Sequence, residues 1–208
     1  MTRLNTKHAC SSSYQPDPTV VNAALFKLEP LGAIPDSYIG RFRAMGSPCE
    51  IMMRHCTPLQ SRQCIDLLTR EVQRIETKFS RYRDNNVVAK INHSNGADVK
   101  VDAETARLLD SANALWEISE GLFDITSGSL RQAWVFDRSD RIPDPESVEA
   151  LIEFVGWQHV KRGIDSICLP PGFEIDFGGI GKEYATDRCL QLAHSLGIQD
   201  VLVNLGGD

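Results

Sequence analysis

Phe173-Glu174-Ile175-Asp176-Phe177-Gly178-Gly179-Ile180-Gly181-Lys182 reads as an extended run that breaks on glycines and restarts as a helix. Apolar and acidic residues alternate before the break, as in a half-buried strand. Beyond it, Tyr184, Cys189, Leu192 and Leu196 predict the inward face of a helix running from Lys182 to about Leu196 and stopped by Gly197. Val201-Leu202-Val203-Asn204-Leu205 then predicts an apolar strand. Upstream, Val160, Ser166 to Leu169 and Phe173 to Asp176 predict short strands, the last two split by Pro170-Pro171-Gly172.

Helical signals fill the middle of the chain. Thr57-Pro58 supplies an N-cap and a first-turn proline. Ile65, Leu68, Val72, Ile75 and Phe79 follow at helical spacing, and Ser80-Arg81-Tyr82-Arg83 ends that helix in a polar loop. Val87, Val88 and Ile91 suggest a short helical turn. Asp102 caps a second long helix with Leu108, Leu109, Ala112, Leu115 and Trp116 on its apolar stripe and Gly121 as its stop. Leu130 to Phe136 suggests a short helix carrying Trp134, and Asp144-Pro145 starts another that stops at Gly156. Near the start, Tyr38 to Ala44 and Glu50 to Met53 are extended, interrupted by Met45-Gly46-Ser47-Pro48. That is two strands on a tight turn, or one strand with a break. Strands and helices mix without strict alternation, so the class is α+β, with mixed sheets and packed helices. Residues 1–36 read as a polar leader that docks through Leu25, Phe26 and Leu28, and residues 37–208 as the folded unit. A buried-type strand running into Gly206-Gly207-Asp208 gives the expectation of a chain cut in mid-domain.

Composition narrows the function classes. The 208 residues are 42% hydrophobic and 24% charged, enough for a core without staples. Lys and Arg number 22 against 28 Asp and Glu, a net charge of −6, so nucleic acid and anionic membrane surfaces are not the expected partners. No apolar run approaches the roughly 20 residues of a membrane span. No secretory or lipoprotein signal is visible before Val20, which favours a cytoplasmic protein, with organellar or processed periplasmic forms as alternatives. Cysteines 10, 49, 56, 64, 168 and 189 lack C-x-x-C spacing and read as small core residues. The five histidines are isolated, without zinc-site spacing.

Three places could carry chemistry. The glycine turn into Lys182 offers close backbone approach, a helix N-terminus and a mobile cation, a cradle for a phosphate or diphosphate. It is not a Walker A loop, because Asp176 stands where the first glycine belongs and Glu183 follows the lysine. Asp176-Phe177-Gly178 spells a kinase triplet with no kinase context around it. Leu122-Phe123-Asp124-Ile125-Thr126 offers an aromatic and a carboxylate for a planar ring, or is an ordinary turn. Tyr82, flanked by Arg81 and Arg83, could stack on a ring beside phosphates, or be a solvated helix end.

Taken in order, Met45-Gly46-Ser47, Phe79-Ser80-Arg81-Tyr82-Arg83, Gly121-Leu122-Phe123-Asp124-Ile125-Thr126-Ser127-Gly128-Ser129-Leu130 with Trp134, Ile175 through Asp187, and Val203-Asn204-Leu205-Gly206-Gly207-Asp208 resemble the ApbE family of FAD:protein FMN transferases. The resemblance covers roughly residues 37 to 208 and implies a T-fold-like core. It also implies FAD as substrate, Mg²⁺ as cofactor, and transfer of the FMN half to a Thr or Ser hydroxyl of an acceptor flavoprotein with release of AMP. A binding protein without transfer, or an FAD pyrophosphatase, is the alternative. By position, Met45, Tyr82, Leu122, Phe123, Asp124, Asp176 and Lys182 are expected to contact FAD, and the Gly179 carbonyl to bind Mg²⁺. The family's metal-binding Asp and Thr and its His-x-Asp-Pro-x-Thr-Gly block fall after the point where this chain ends, so impaired catalysis is expected of it. Glu183 departs from the glycine usual after the lysine, and a carboxylate there opposes an anion unless it points to solvent.

Overall fold

The computed structural model describes residues 25–32, 34–134 and 142–206. Strands β1 (Lys27–Pro30), β2 (Ser37–Ala44), β3 (Ser47–Arg54) and β7 (Val201–Asn204) form one antiparallel sheet in the order β1-β2-β3-β7. Helix α1 (Pro58–Phe79) packs on β2 and on α5 (Gly181–Ser195), and α5 packs on β7. A second antiparallel sheet has β4 (Asp98–Lys100), β6 (Ser166–Cys168) and β5 (Lys161–Arg162) in the order β4-β6-β5. Helices α2 (Val87–Asn92), α3 (Ala103–Ile118) and α4 (Pro145–Ile152) complete the chain. The α+β reading holds. No helix among the described residues is long and apolar enough to cross a membrane.

The interruption at Met45-Gly46 is a hairpin turn, so the two-strand reading holds. Ala44 pairs with Ser47, and both turn residues have positive φ, 52° and 74°. That is the turn whose twist matches the flanking strands. Alternation then places Phe42, Cys49, Ile51 and Met53 in the core. Gly40 lies on the same face because α1 leaves no room for more: a Cβ there would stand 2.3 Å from Ile65 Cγ1.

The docking expected of Leu25, Phe26 and Leu28 takes the form of a strand. Of residues 1–36, the described part from Leu25 is built into the fold: β1 pairs Lys27↔Arg41 through Pro30↔Tyr38, and Phe26 is buried. Arg41 holds the edge by pairing with Glu29 at 2.6 Å and Glu50 at 2.7 Å. Pro30 ends an edge strand, where its missing N–H costs nothing. Residues 1–24, with Cys10, lie outside the described residues.

Capping follows the sequence. Thr57 and Gln60 form a capping box at the start of α1, and Asp102 and Asp144 cap α3 and α4; Asn86, not read as a cap from the sequence, caps α2. Other expectations change. Leu130 to Phe136 becomes a single-turn 3-10 helix over Gly128–Gln132, and Phe136 lies outside the described residues. Leu196 is the C-cap of α5 and is exposed, not inward. Phe173 to Asp176 joins no sheet and makes only one parallel bridge, Glu174 with Ser127. Cys49, Cys56, Cys64 and Cys189 are buried free thiols, and Cys168 is half-buried.

A charge network fixes α5 against α1 and α3. Tyr184 Oη donates to Glu104 at 2.6 Å, Glu104 pairs with Arg74 at 2.6 Å and Lys78 at 2.7 Å, and Arg188 reaches Glu71 at 3.2 Å. Burial pushes the Glu104 carboxyl up, but hydrogen bonds from Arg74, Lys78 and Tyr184 outweigh it and hold the group at about 2. Burial and the bond to Glu104 push the Tyr184 phenol up to about 12.

Two outcomes are expected. Gly40→Ala should destabilise the chain by about 1–3 kcal/mol in urea unfolding, through overpacking, and the Gly40→Ala/Ile65→Ala double variant should lose less than the sum of the two single losses. A double loss equal to that sum would contradict the contact. Glu104 has a depressed folded pKa, so its stabilisation is present above the unfolded value of 4.5 and is lost as pH falls towards about 2. Glu104→Gln should therefore cost about 1–3 kcal/mol near pH 7, and the gap from wild type should close between roughly pH 4.5 and 2. A gap independent of pH would remove the ion pairs as its cause.

Candidate functional site

One wall of the site is the loop after α1. Ser80 turns extended and ends the helix, and one residue then pins the loop. Asn86 Nδ2 donates to the carbonyls of Thr77 at 3.1 Å and Ser80 at 2.6 Å, while its Oδ1 accepts from Ala89 N–H at 2.9 Å. The loop presents Tyr82, 79% exposed. Arg81 lies over that ring at 4.9 Å and donates to the Tyr82 hydroxyl at 3.0 Å.

The facing wall is the segment that was expected to be a strand. Its backbone is satisfied by other means. The Asn92 side chain brackets Ile175, accepting from its N–H at 2.8 Å and donating to its carbonyl at 3.1 Å. Asp176 N–H donates to the Ile125 carbonyl at 2.8 Å, and Glu174 N–H to Ser129 Oγ at 2.9 Å. Gly128 lets the two segments approach, since a Cβ there would lie 2.7 Å from the Glu174 carbonyl oxygen. The carboxylate of Asp176 accepts from Gly178 N–H at 3.0 Å through one oxygen and pairs with Arg81 at 2.9 Å through the other. Phe177 is buried edge-on against Phe79, with centroids 5.5 Å apart, and so ties this wall to the end of α1.

The floor is the start of α5. The N–H groups of Ile180 and Gly181 both bond the Phe177 carbonyl, at 3.0 and 2.7 Å. No side chain among the described residues caps this helix, so its first turn keeps the N–H groups of Lys182 and Glu183 as donors at the positive end of the dipole. Lys182 Nζ donates to Ser47 Oγ at 3.2 Å, just past the Met45-Gly46 turn. Glu183 is exposed and does not line the cleft.

These parts enclose an open cleft of ≈ 630 Å³. That is within the roughly 300–1,000 Å³ of small-molecule sites. Met45, Tyr82, Asp176 and Lys182 line it together, with Arg81 and Phe177. Leu122, Phe123 and Asp124 do not line it. Leu122 is 93% exposed. Phe123 packs on the glycine turn, where a Cβ on Gly179 would lie 2.9 Å from its ring. The Asp124 carboxylate accepts from the Thr126 N–H at 2.8 Å, the Thr126 hydroxyl at 2.6 Å and the Trp157 N–H at 2.8 Å, so it ties its loop to residue 157. No group of three or more His, Cys, Asp or Glu among the described residues is placed to hold a metal ion. A single carbonyl at Gly179 falls far short of the six oxygens Mg²⁺ prefers, so the described residues do not make a Mg²⁺ site by themselves.

Asn86, Asn92, Gly128 and Ser129 carry the geometry and were not singled out from the sequence. Only Gly128 and Ser129 stood within a quoted block. An asparagine used as a backbone clamp leaves no periodic signal.

A model of the ApbE family matches residues 45–208. The FAD:protein FMN transferase of Treponema pallidum is 30% identical over 149 residues, covering 66% of this chain and 41% of that protein. The protein of that name from Klebsiella pneumoniae is 26% identical over 170 residues, covering 79% and 52%. The ApbE protein of Thermotoga maritima superposes with a TM-score of 0.72 at 30% identity, covering 81% of this chain and 56% of that one. The flavin transferase ApbE of Vibrio cholerae superposes with a TM-score of 0.73 at 23% identity, covering 88% and 58%, a likeness of fold. The chain spans about half the length of the curated relatives it matches, or somewhat less. With that profile running from the hairpin turn through the glycine turn into the last strand, the chain belongs to the ApbE family.

Proposed function

We propose that the cleft binds FAD and that the protein transfers its FMN half to a Thr or Ser hydroxyl of an acceptor flavoprotein, releasing AMP. The observation that carries this reading is the meeting of three unlike groups in one cleft: the uncapped start of α5, the Lys182 ammonium and the exposed Tyr82 ring. A dinucleotide has the same composition, a diphosphate between two planar rings. The relatives named FAD:protein FMN transferase support the choice of FAD.

In this reading the diphosphate lies on the N–H groups that open α5, with Lys182 beside it. Tyr82 and Met45 flank a ring system, and Tyr82 holds it by stacking. Asp176 accepts only, so it takes an N–H or O–H of the ligand and not a phosphate. The acceptor oxygen forms a bond to the phosphorus of the FMN half and loses its proton. The bond from that phosphorus to the bridging oxygen breaks, and AMP leaves with that oxygen and its negative charge. Lys182 and the helix dipole face the charge that grows there. Mg²⁺ belongs to the expectation from the resemblance, with the Gly179 carbonyl as one oxygen donor. The described residues do not complete its shell, and no step is assigned to it. A cytoplasmic setting is part of this reading, and the buried free thiols suit a reducing compartment.

Titration calorimetry with FAD should show binding by the wild-type chain, and Lys182→Ala should weaken it roughly ten- to hundredfold by loss of a charge-assisted contact. Unchanged affinity would take Lys182 out of the site. Incubation with FAD, Mg²⁺ and an acceptor protein bearing a flavinylation Thr should release AMP and leave the acceptor covalently yellow. FMN and AMP without label would support a pyrophosphatase instead, and bound FAD without AMP a binding protein.

A further inference from the structure

Asp176 poses an electrostatic problem that the proposed diphosphate site must solve. Its carboxylate lines the same cleft as Lys182 and the start of α5. A bare carboxylate there would repel the anion that those groups attract. We propose that Arg81 is a positioning residue that neutralises and aims Asp176, so that an acidic group can share the cleft with a diphosphate. The inference rests on the proposed function and deepens it.

Both carboxylate oxygens have a fixed partner. Arg81 Nη1 holds one at 2.9 Å, and Gly178 N–H holds the other at 3.0 Å. Arg81 is itself held by the Tyr82 hydroxyl at 3.0 Å and by its place over the Tyr82 ring. The Arg81 and Asp176 side chains are 16% and 24% exposed, so water screens the pair only in part. The charges lining the cleft are Arg81, Arg83 and Lys182 against Glu76 and Asp176. With Arg81 the balance favours an anion by one charge, and without Arg81 it is nil. A guanidinium fork already engaged with a carboxylate and a phenol is poorly placed to clamp a phosphate as well. Arg81 therefore acts on the diphosphate through Asp176, while Lys182 faces it directly. Asp176, oriented and neutralised, keeps lone pairs for one ligand N–H or O–H.

A double-mutant cycle read by calorimetry tests this, with FAD and inorganic pyrophosphate as separate probes. Arg81→Met should weaken both by about tenfold, because it leaves Asp176 uncompensated. In the Asp176→Asn chain the same change should cost less than about threefold for pyrophosphate, since no carboxylate remains to neutralise. Arg81→Lys should restore part of the affinity. Equal losses in the two backgrounds would overturn the inference and make Arg81 a direct phosphate ligand. Affinities unmoved by Arg81→Met would overturn it outright. Thermal unfolding of the four unliganded chains should show coupling between the two sites, and its absence would dissolve the pair. A wild-type chain that binds neither probe would remove the proposed function itself, and the inference with it. Binding with additive losses would remove the inference alone.

Discussion

The backbone of Ile175 is held by a side chain and not by a neighbouring strand, and the geometry of the cleft depends on that substitution. An extended segment must place its N–H and C=O groups somewhere. Here Asn92, the Ile125 carbonyl and Ser129 take them, so the segment needs no sheet and its end is free to bend. The bend sends Phe177 into the core against Phe79 and lets its carbonyl receive the first N–H groups of α5. Asp176, the residue between clamp and bend, is thereby aimed at the end of α1. A shift of this segment would move Asp176, Phe177 and the start of α5 together.

The charges of the protein fall into two arrangements with different work. Behind α5, Glu71, Arg74, Lys78, Glu104 and Arg188 satisfy one another and set how the helix lies on α1 and α3. In front of it, Lys182 is anchored only lightly, to the Ser47 hydroxyl, which leaves an ammonium able to turn to a ligand. A chain of net charge −6 thus gathers cations at one cleft, where the local field and not the overall balance governs an anionic ligand. Net charge argued against nucleic acid as a partner, and it does not argue against a diphosphate.

Helix starts were legible in the sequence because capping chemistry is local. Thr57, Asp102 and Asp144 each stand where a first turn needs an acceptor. The class was legible from periodicity, and the family from the order of its blocks. Four of the seven positions expected to contact FAD, Met45, Tyr82, Asp176 and Lys182, come together in the cleft. Leu122, Phe123 and Asp124 sit elsewhere because Asp124 is spent on Thr126 and Trp157 and Phe123 on the glycine turn. What the sequence did not reveal was contact between distant polar groups. Asn92 meets Ile175 across 83 positions, and nothing in the neighbourhood of either announces the other. The strand expected over Phe173 to Asp176 fails for the same reason: alternation describes an extended backbone and is silent about who receives its hydrogen bonds. The strand within the docking segment was not legible, because β1 is only four residues long and its pairing is visible only from β2.

On the proposed function, a flavin dinucleotide lies across the cleft with its diphosphate on the start of α5. A crystal structure of the chain with FAD tests it most directly. The diphosphate should lie within hydrogen-bond reach of the Lys182 ammonium and the open N–H groups of Lys182 and Glu183, with a ring stacked on Tyr82. A diphosphate bound away from Gly181 and Lys182, or a Tyr82 ring left facing water, would contradict it.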